Sequence, residues 1–234
     1  MTTRFTEIDV ARQRLLEDGY VVIPGVIDPA ALTSLRERVV LFYRGWERYR
    51  APTRKEIVPP RASQQEYLPV REINWPATML RLLAAEPAVI AVRRIVDLLT
   101  GEEVRLIHAN SLLKPAVAGA PVMPHQDTAY NHQPLDNPLT AWIPFEDVSE
   151  ASGALFYLPG SHRFGDLEHQ SLGDMHWLDE ARLGEKGAPR WRSYTGEPGS
   201  IGIHDSRIVH GSYPNRSDRD RLALSVRFAA SLRR

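Results

Sequence analysis

The run Arg221-Leu-Ala-Leu-Ser-Val-Arg-Phe228 decides the fold class. Leu222, Leu224, Val226 and Phe228 alternate with Arg221, Ala223, Ser225 and Arg227. A period of two puts these sets on opposite faces of a strand. The large apolar set is expected to pack outward against helices. The other set is expected to line the mouth of a β barrel, where Arg221 and Arg227 need partners because an unpaired buried charge is costly. A bound carboxylate would be such a partner.

Upstream, short β-like runs recur at Val104–Leu113, Leu139–Phe145, Ala154–Leu158 and Ser200–Ile203. Turn clusters at Pro134–Pro138, Glu150–Gly153, Pro159–Ser161 and Pro214–Asp220 separate them. Many short strands with such punctuation predict a sandwich or jelly roll rather than a parallel α/β sheet. The first hundred residues read as mostly helical. Helices are expected over Ile8–Glu17, from the Asp28-Pro29 start to about Tyr43, over Ala77–Ala85 and over Pro87–Leu99, with one strand at Tyr20–Pro24. Arg44–Arg61 reads as a polar basic loop and Arg163–Arg190 as a charged surface excursion. The expectation is a mainly β chain, a jelly-roll core braced by N-terminal helices, in one domain spanning residues 1–234.

Composition narrows the chemistry. The 234 residues hold 29 Lys+Arg against 29 Asp+Glu, eight His and no Cys. Zero net charge argues against a nucleic-acid partner. The absence of Cys excludes disulfides, thiolate zinc sites, iron–sulfur clusters and thiol catalysis, so any metal must be held by nitrogen and oxygen. No signal-like segment and no span of ~20 apolar residues is visible, which predicts a cytoplasmic chain without a membrane partner.

Pro124-His125-Gln126-Asp127 offers an imidazole and a carboxylate two residues apart, on the same side of an extended segment. Ser206–Ser212 supplies a second imidazole, His210, far downstream. Two His and one carboxylate form the facial set of non-haem Fe(II) oxygenases, which leaves open positions on the metal. From His210 a turn leads to Arg221, and an antiparallel return is expected to bring Arg221 beside the strand of His210. A guanidinium there matches a carboxylate with two parallel hydrogen bonds.

These residues carry a resemblance to a known family. His125-x-Asp127, Pro159-Gly160-Ser161-His162 after Ser152-Gly153-Ala154-Leu155, and His204-Asp205-x5-His210-Gly211-Ser212-x-Pro214-Asn215-x-Ser217-x3-Arg221 are similar to the phytanoyl-CoA dioxygenase family of iron(II)- and 2-oxoglutarate-dependent oxygenases. The likeness begins at Leu16-x-Asp18-Gly19-Tyr20 and covers most of the chain. It implies a double-stranded β-helix with His125, Asp127 and His210 as catalytic iron ligands. It implies Arg221, helped by Ser212, on the far carboxylate of the cosubstrate 2-oxoglutarate. Asn110 and Trp142 match positions where the family contacts or walls the cosubstrate, although each could equally be an inward residue filling the barrel. A carboxylate at Asp127 further implies hydroxylation or oxidative ring closure, with O2 consumed and succinate and CO2 released, rather than halogenation. The substrate expected is a free small molecule, in a natural-product or glycoside tailoring step such as orthoester closure on a sugar. An acyl-CoA or amino-acid hydroxylase, a cupin-like hydrolase or isomerase without 2-oxoglutarate, and a noncatalytic barrel remain as alternatives. A homodimer is left open.

Other residues read more plainly. His108 shares a strand face with Asn110. His204 and Asp205 precede His210 on the same strand and are expected to orient the backbone or the surroundings of the ligands rather than bind metal. Gln126 is expected to point away from the ligands, and His162 to cap a turn. His132, His169 and His176 are expected to be solvated, and Trp177 and Trp191 to flank the acidic excursion.

Overall fold

The computed structural model describes residues 2–49, 54–57, 67–130, 138–173, 175–179, 183 and 190–230. In chain order they form α1 (Thr2–Asp18), β1 (Tyr20–Ile23), α2 (Pro29–Tyr49), β2 (Arg54–Ile57), β3 (Val70–Asn74), α3 (Ala77–Ala84), α4 (Pro87–Thr100), β4 (Val104–Lys114) and β5 (Val122–His125). There follow β6 (Leu139–Pro144), β7 (Leu155–Tyr157), β8 (Gln170–Leu172), β9 (Met175–Trp177), β10 (Arg192–Ser193), β11 (Ile201–Asp205), β12 (His210–Ser212) and β13 (Arg221–Ala230). Short 3-10 turns cover Asp127–Tyr130 and Ser161–Phe164.

The helices start and stop where local chemistry dictates. The Asp28 carboxylate accepts the backbone N–H groups of Ala30 and Ala31, and Pro29 opens α2 without losing a needed donor. α4 buries Ala88, Val89, Val92, Val96 and Leu99, a stripe of helical period, and stops at Gly101 in the left-handed conformation (φ +74°).

Seven strands form one sheet in the order β1-β11-β6-β13-β4-β3-β2, and β10-β7-β12-β5 form a second. β13 is central in the larger sheet, antiparallel to both β6 and β4. Its Leu222, Leu224, Val226 and Phe228 join the helix residues Leu35, Val39, Leu83, Val92 and Val96 in one core cluster. The helices thus brace the back of the large sheet, as the alternation predicts. A second cluster, with Trp142, Tyr157, Tyr194, Ile208 and Ala223, fills the interior between the sheets.

Several expectations need correction. α2 runs six residues past Tyr43, and Arg54–Ile57 is a strand, so much of the expected basic loop is regular structure; residues 50–53 and 58–66 lie outside the described residues. β3 was not expected, because Val70-Arg-Glu-Ile-Asn74 buries only Val70 and Ile73 and lacks strict alternation. His204 and Asp205 do not share a strand with His210: β11 belongs to the large sheet, and a turn leads from it to β12 in the small one. For the same reason Arg221 does not return beside the strand of His210, since β13 pairs with β4 and β6 across the barrel. The Arg163–Arg190 excursion includes the hairpin β8–β9, tied to β5 where the Leu178 N–H donates to the Pro124 carbonyl. Its residues 174, 180–182 and 184–189, and His132, lie outside the described residues. No helix of the described residues is long and apolar enough to cross a membrane.

Candidate active site

His210 lies directly opposite His125 across the β12–β5 pair. Side chains so placed in neighbouring strands meet on one face, and the two rings stand 4.4 Å apart between centroids. His125 ends β5, and Asp127 opens the following 3-10 turn, so the pair converges through a turn and not through extended alternation. Asp127 Oδ1 sits 3.9 Å from His125 Nε2 and 3.7 Å from His210 Nε2. One donor atom from each of the three residues lies within 4.8 Å of the others, a spacing that can hold a metal ion.

The imidazoles are preset for ligation. Nδ1 of His125 lies 2.9 Å from the Met123 carbonyl, and Nδ1 of His210 lies 3.1 Å from that of Ile208. A carbonyl only accepts, so each Nδ1 carries the proton and each Nε2 lone pair faces the shared centre. Burial lowers the pKa of both rings, that of His210 well below the ordinary value with help from His125 and His204, and keeps them neutral.

Asp127 is held from behind by the opposite sheet. His204, Thr140 and Arg227 form one row across β11, β6 and β13. Thr140 donates to Asp127 Oδ2 at 2.6 Å, Arg227 Nη2 pairs with Oδ2 at 3.0 Å, and His204 Nε2 faces it at 3.6 Å, beyond hydrogen-bond range. Burial alone would raise the pKa of this carboxyl, but Arg227, His204 and His210 outweigh it and hold the group well below the usual range. With Oδ2 occupied, Oδ1 is the atom left toward the imidazoles. The buried partner foreseen for Arg227 is therefore the chain's own Asp127.

Arg221 has a different environment. It is 3% exposed, and the described residues place no carboxylate within ion-pair distance of it. Its Nη2 donates to the Gly153 carbonyl at 3.0 Å, its guanidinium carbon lies 5.4 Å from the Trp142 ring centroid, and its Nε has no hydrogen-bond partner. Burial lowers its pKa to about 10, so it is a cation at neutral pH. The turn before it is fastened by Asn215, whose side-chain amide donates to the carbonyls of Lys114, Pro115 and Arg219.

The remaining predicted site residues share this interior. Asn110, Ser225 and Trp142 form a row across β4, β13 and β6. Trp142 is 2% exposed and meets Tyr194 edge to face, while the Asn110 amide donates to Glu72 at 2.8 Å. Ser212 is buried at the end of β12. Tyr130 stands edge-on to His125 at 5.6 Å.

Sequence reasoning missed Thr140 and Lys114, which carry no motif, and expected a bound carboxylate for Arg227 where the partner is the carboxylate of Asp127; the period of a strand marks only the face. His169 and His176 are not simply solvated: His169 Nε2 accepts the Gln126 N–H at 3.0 Å, and the His176 ring packs on Tyr130. Gln126 points away into bonds with Gly165, Leu167 and Arg207. His162 reaches the Leu16 carbonyl in the last turn of α1, and Trp191 packs on Phe156. Asp205 caps its turn by accepting from Arg207.

Two sheets closed around a His-Asp-His donor set, with a buried guanidinium on the same interior, define a barrel suited to a metal ion and a carboxylate ligand. The chain belongs to the phytanoyl-CoA dioxygenase (PhyH) family, whose family model matches residues 15–223. It is 36% identical over 145 residues to a probable alpha-ketoglutarate-dependent hypophosphite dioxygenase of Stutzerimonas stutzeri, which covers 59% of this chain and 50% of that protein. The chain spans about half the length of the first curated relatives it matches. Among solved structures it resembles EvdO2 from Micromonospora carbonacea var. aurantiaca, complexed with 2-oxoglutarate (TM-score 0.71, 22% identity, 95% of this chain and 90% of that one). It also resembles the non-heme alpha ketoglutarate dependent carbocyclase SnoK from nogalamycin biosynthesis (TM-score 0.72, 24% identity, 94% and 83%). At these identities the likeness is one of fold.

Proposed function

We propose that this protein is an Fe(II)- and 2-oxoglutarate-dependent oxygenase of one domain. The observation that carries the reading is the pairing of two opposite ends in one interior. At one end, two neutral imidazoles and one ionised carboxylate oxygen converge; at the other, a buried guanidinium has no carboxylate partner among the described residues. The donor set of two nitrogens and one oxygen suits ferrous iron and leaves positions open. The orphaned Arg221 Nε suits a carboxylate, which a guanidinium meets with parallel hydrogen bonds. A hydrolase using the metal alone would leave Arg221 without a role.

Iron would supply the redox chemistry, in which O2 oxidises 2-oxoglutarate to succinate and CO2 while the second oxygen atom oxidises the substrate. The chain's own residues do the positioning. His125, His210 and Asp127 would hold the metal, and Thr140 and Arg227 keep Asp127 one-handed toward it. Arg221 and Ser212 would hold the far carboxylate, with Trp142 as a wall that keeps water from it. Asn110 would border the cosubstrate or the substrate beside Glu72.

The substrate we infer is a free small molecule in a natural-product tailoring step, by hydroxylation or ring closure. The fold likeness to SnoK from nogalamycin biosynthesis supports it, as do the polar groups near the donor set, Tyr130 beside His125 and Glu72 bonded to Asn110. Anaerobic addition of Fe(II) and 2-oxoglutarate is expected to develop the weak visible absorption of the chelate, and air is expected to release succinate. Absence of both would defeat the oxygenase reading. Mass spectrometry across glycosides, amino acids and acyl-CoA esters then separates the substrate classes, and turnover confined to acyl-CoA would overturn the tailoring assignment.

A further inference from the structure

Lys114 ends β4 on the inward face, directly opposite Arg221 in the β4–β13 pair. Its side chain is fully buried. Nζ donates to the carbonyl of Tyr213 and, at 3.4 Å, to that of Ser212, the residue expected beside the cosubstrate. The aliphatic stem runs over Gly153, where an added Cβ would lie 2.9 Å from Lys114 Cδ, and the Gly153 carbonyl is the acceptor for Arg221. Lysine and arginine therefore converge on one glycine.

Two basic side chains share this interior, and the described residues place no carboxylate in ion-pair contact with either. Glu146 acts on Arg221 only from a distance, being engaged by Arg36 and the Leu222 N–H; Tyr43 is the other group that acts on Arg221, and Arg221 is the charged group that acts on Lys114. Burying like charges side by side opposes folding. Burial and Arg221 on their own therefore oppose charge on Lys114; an amide would tie the same two carbonyls without that conflict, so a basic group at this place suits an anion whose arrival favours its protonated form.

We infer that Lys114 is a second cation of the 2-oxoglutarate pocket, placed so that its charge and that of Arg221 together receive the far carboxylate. The inference rests on the proposed function, since it presumes that 2-oxoglutarate is the ligand. Lys114 then acts in two ways: it fixes the Ser212–Tyr213 backbone and it supplies charge. A purely structural lysine would do only the first.

The test measures binding, not turnover. Dissociation constants are obtained by calorimetry under anaerobic conditions, with Fe(II) present, for 2-oxoglutarate and for 2-oxobutyrate, which keeps the keto-acid end and lacks the far carboxylate. The variants are Lys114→Gln, whose amide still donates to the two carbonyls, and Lys114→Met. Expected is a loss of at least tenfold in 2-oxoglutarate affinity in both, with 2-oxobutyrate affinity within twofold of the wild type. Unchanged 2-oxoglutarate affinity in Lys114→Gln overturns the inference and leaves Lys114 a backbone tie. Equal losses for both ligands overturn it too, because the far carboxylate is then not what Lys114 senses. Failure of the wild type to bind 2-oxoglutarate refutes the proposed function instead, and the inference falls with it.

Discussion

Replacing Arg227 with methionine removes the guanidinium that sits 3.0 Å from Asp127 Oδ2 and keeps much of its apolar stem. The two side chains are 12% and 11% exposed, so solvent screens the pair weakly. At an effective dielectric of ~20, unit charges 3 Å apart attract by about 5–6 kcal/mol. Part of that is offset by the desolvation of both groups, and removing one partner of a buried pair costs about 3–5 kcal/mol. For a chain of this length each kcal/mol moves the melting temperature by roughly 2–4 °C, so the metal-free Arg227→Met protein is expected to melt about 6–20 °C below the wild type. A divalent cation returns positive charge to the same carboxylate, so the variant should bind Mn(II) more tightly than the wild type, and by linkage the same Mn(II) concentration should raise its melting temperature more. Thr140→Val, which loses the 2.6 Å hydrogen bond and no charge, should cost less, about 1.5–3 kcal/mol. Differential scanning calorimetry with and without Mn(II) reads all of this. A metal-free Arg227→Met protein melting within 2 °C of the wild type would refute the assignment of Arg227 as the charge that anchors Asp127.

Three further outcomes are expected. Arg221→Lys loses the two-pronged geometry and should weaken 2-oxoglutarate binding by roughly 1.5–3 kcal/mol, about ten- to a hundredfold, in an anaerobic titration; wild-type affinity in that variant would contradict the role of Arg221. Gly153→Ala places a Cβ against Lys114 at a backbone φ of +83° and should cost roughly 1–3 kcal/mol in urea unfolding. Lys114 is held well below its ordinary pKa by burial and then by Arg221, so between that lowered value and about 10.5 the unfolded chain binds the extra proton. Stability of the wild type relative to Lys114→Gln must then rise with pH across that window, and melting curves from pH 7 to 10 showing a constant or falling difference would contradict the burial of that amine.

The legible part of the site consisted of residues whose spacing or periodicity is local. Alternation along Arg221–Phe228 told which face meets the helices, and the core cluster containing Leu222, Leu224, Val226 and Phe228 follows from it. His125-x-Asp127 is weak as a motif by itself, since eight His and 29 Asp+Glu give such pairs freely; it stands out through His210, the turn leading to Arg221 and the family resemblance that these residues carry together. β3 and the far end of α2 were hidden, because neither shows the period that would identify it and pairing with β4 stabilises β3 from outside.

By itself the sequence determined the period of each element, the helix starts at Asp28-Pro29 and Pro87, the stop at Gly101 and the chemical identity of the donors, since all of these depend on neighbours a few residues apart. Tertiary structure alone decided which sheet each donor joins. His204 and His210, six residues apart in the chain, fall on opposite sheets, and Asp127 is gripped by Thr140 and Arg227 and faced by His204, from three strands that only sheet pairing makes adjacent. Whether a buried arginine meets a ligand or its own chain's carboxylate is a matter of such non-local pairing. Thus Arg227 found Asp127, while Arg221, six residues away on the same face, was left beside Lys114 without an acid among the described residues.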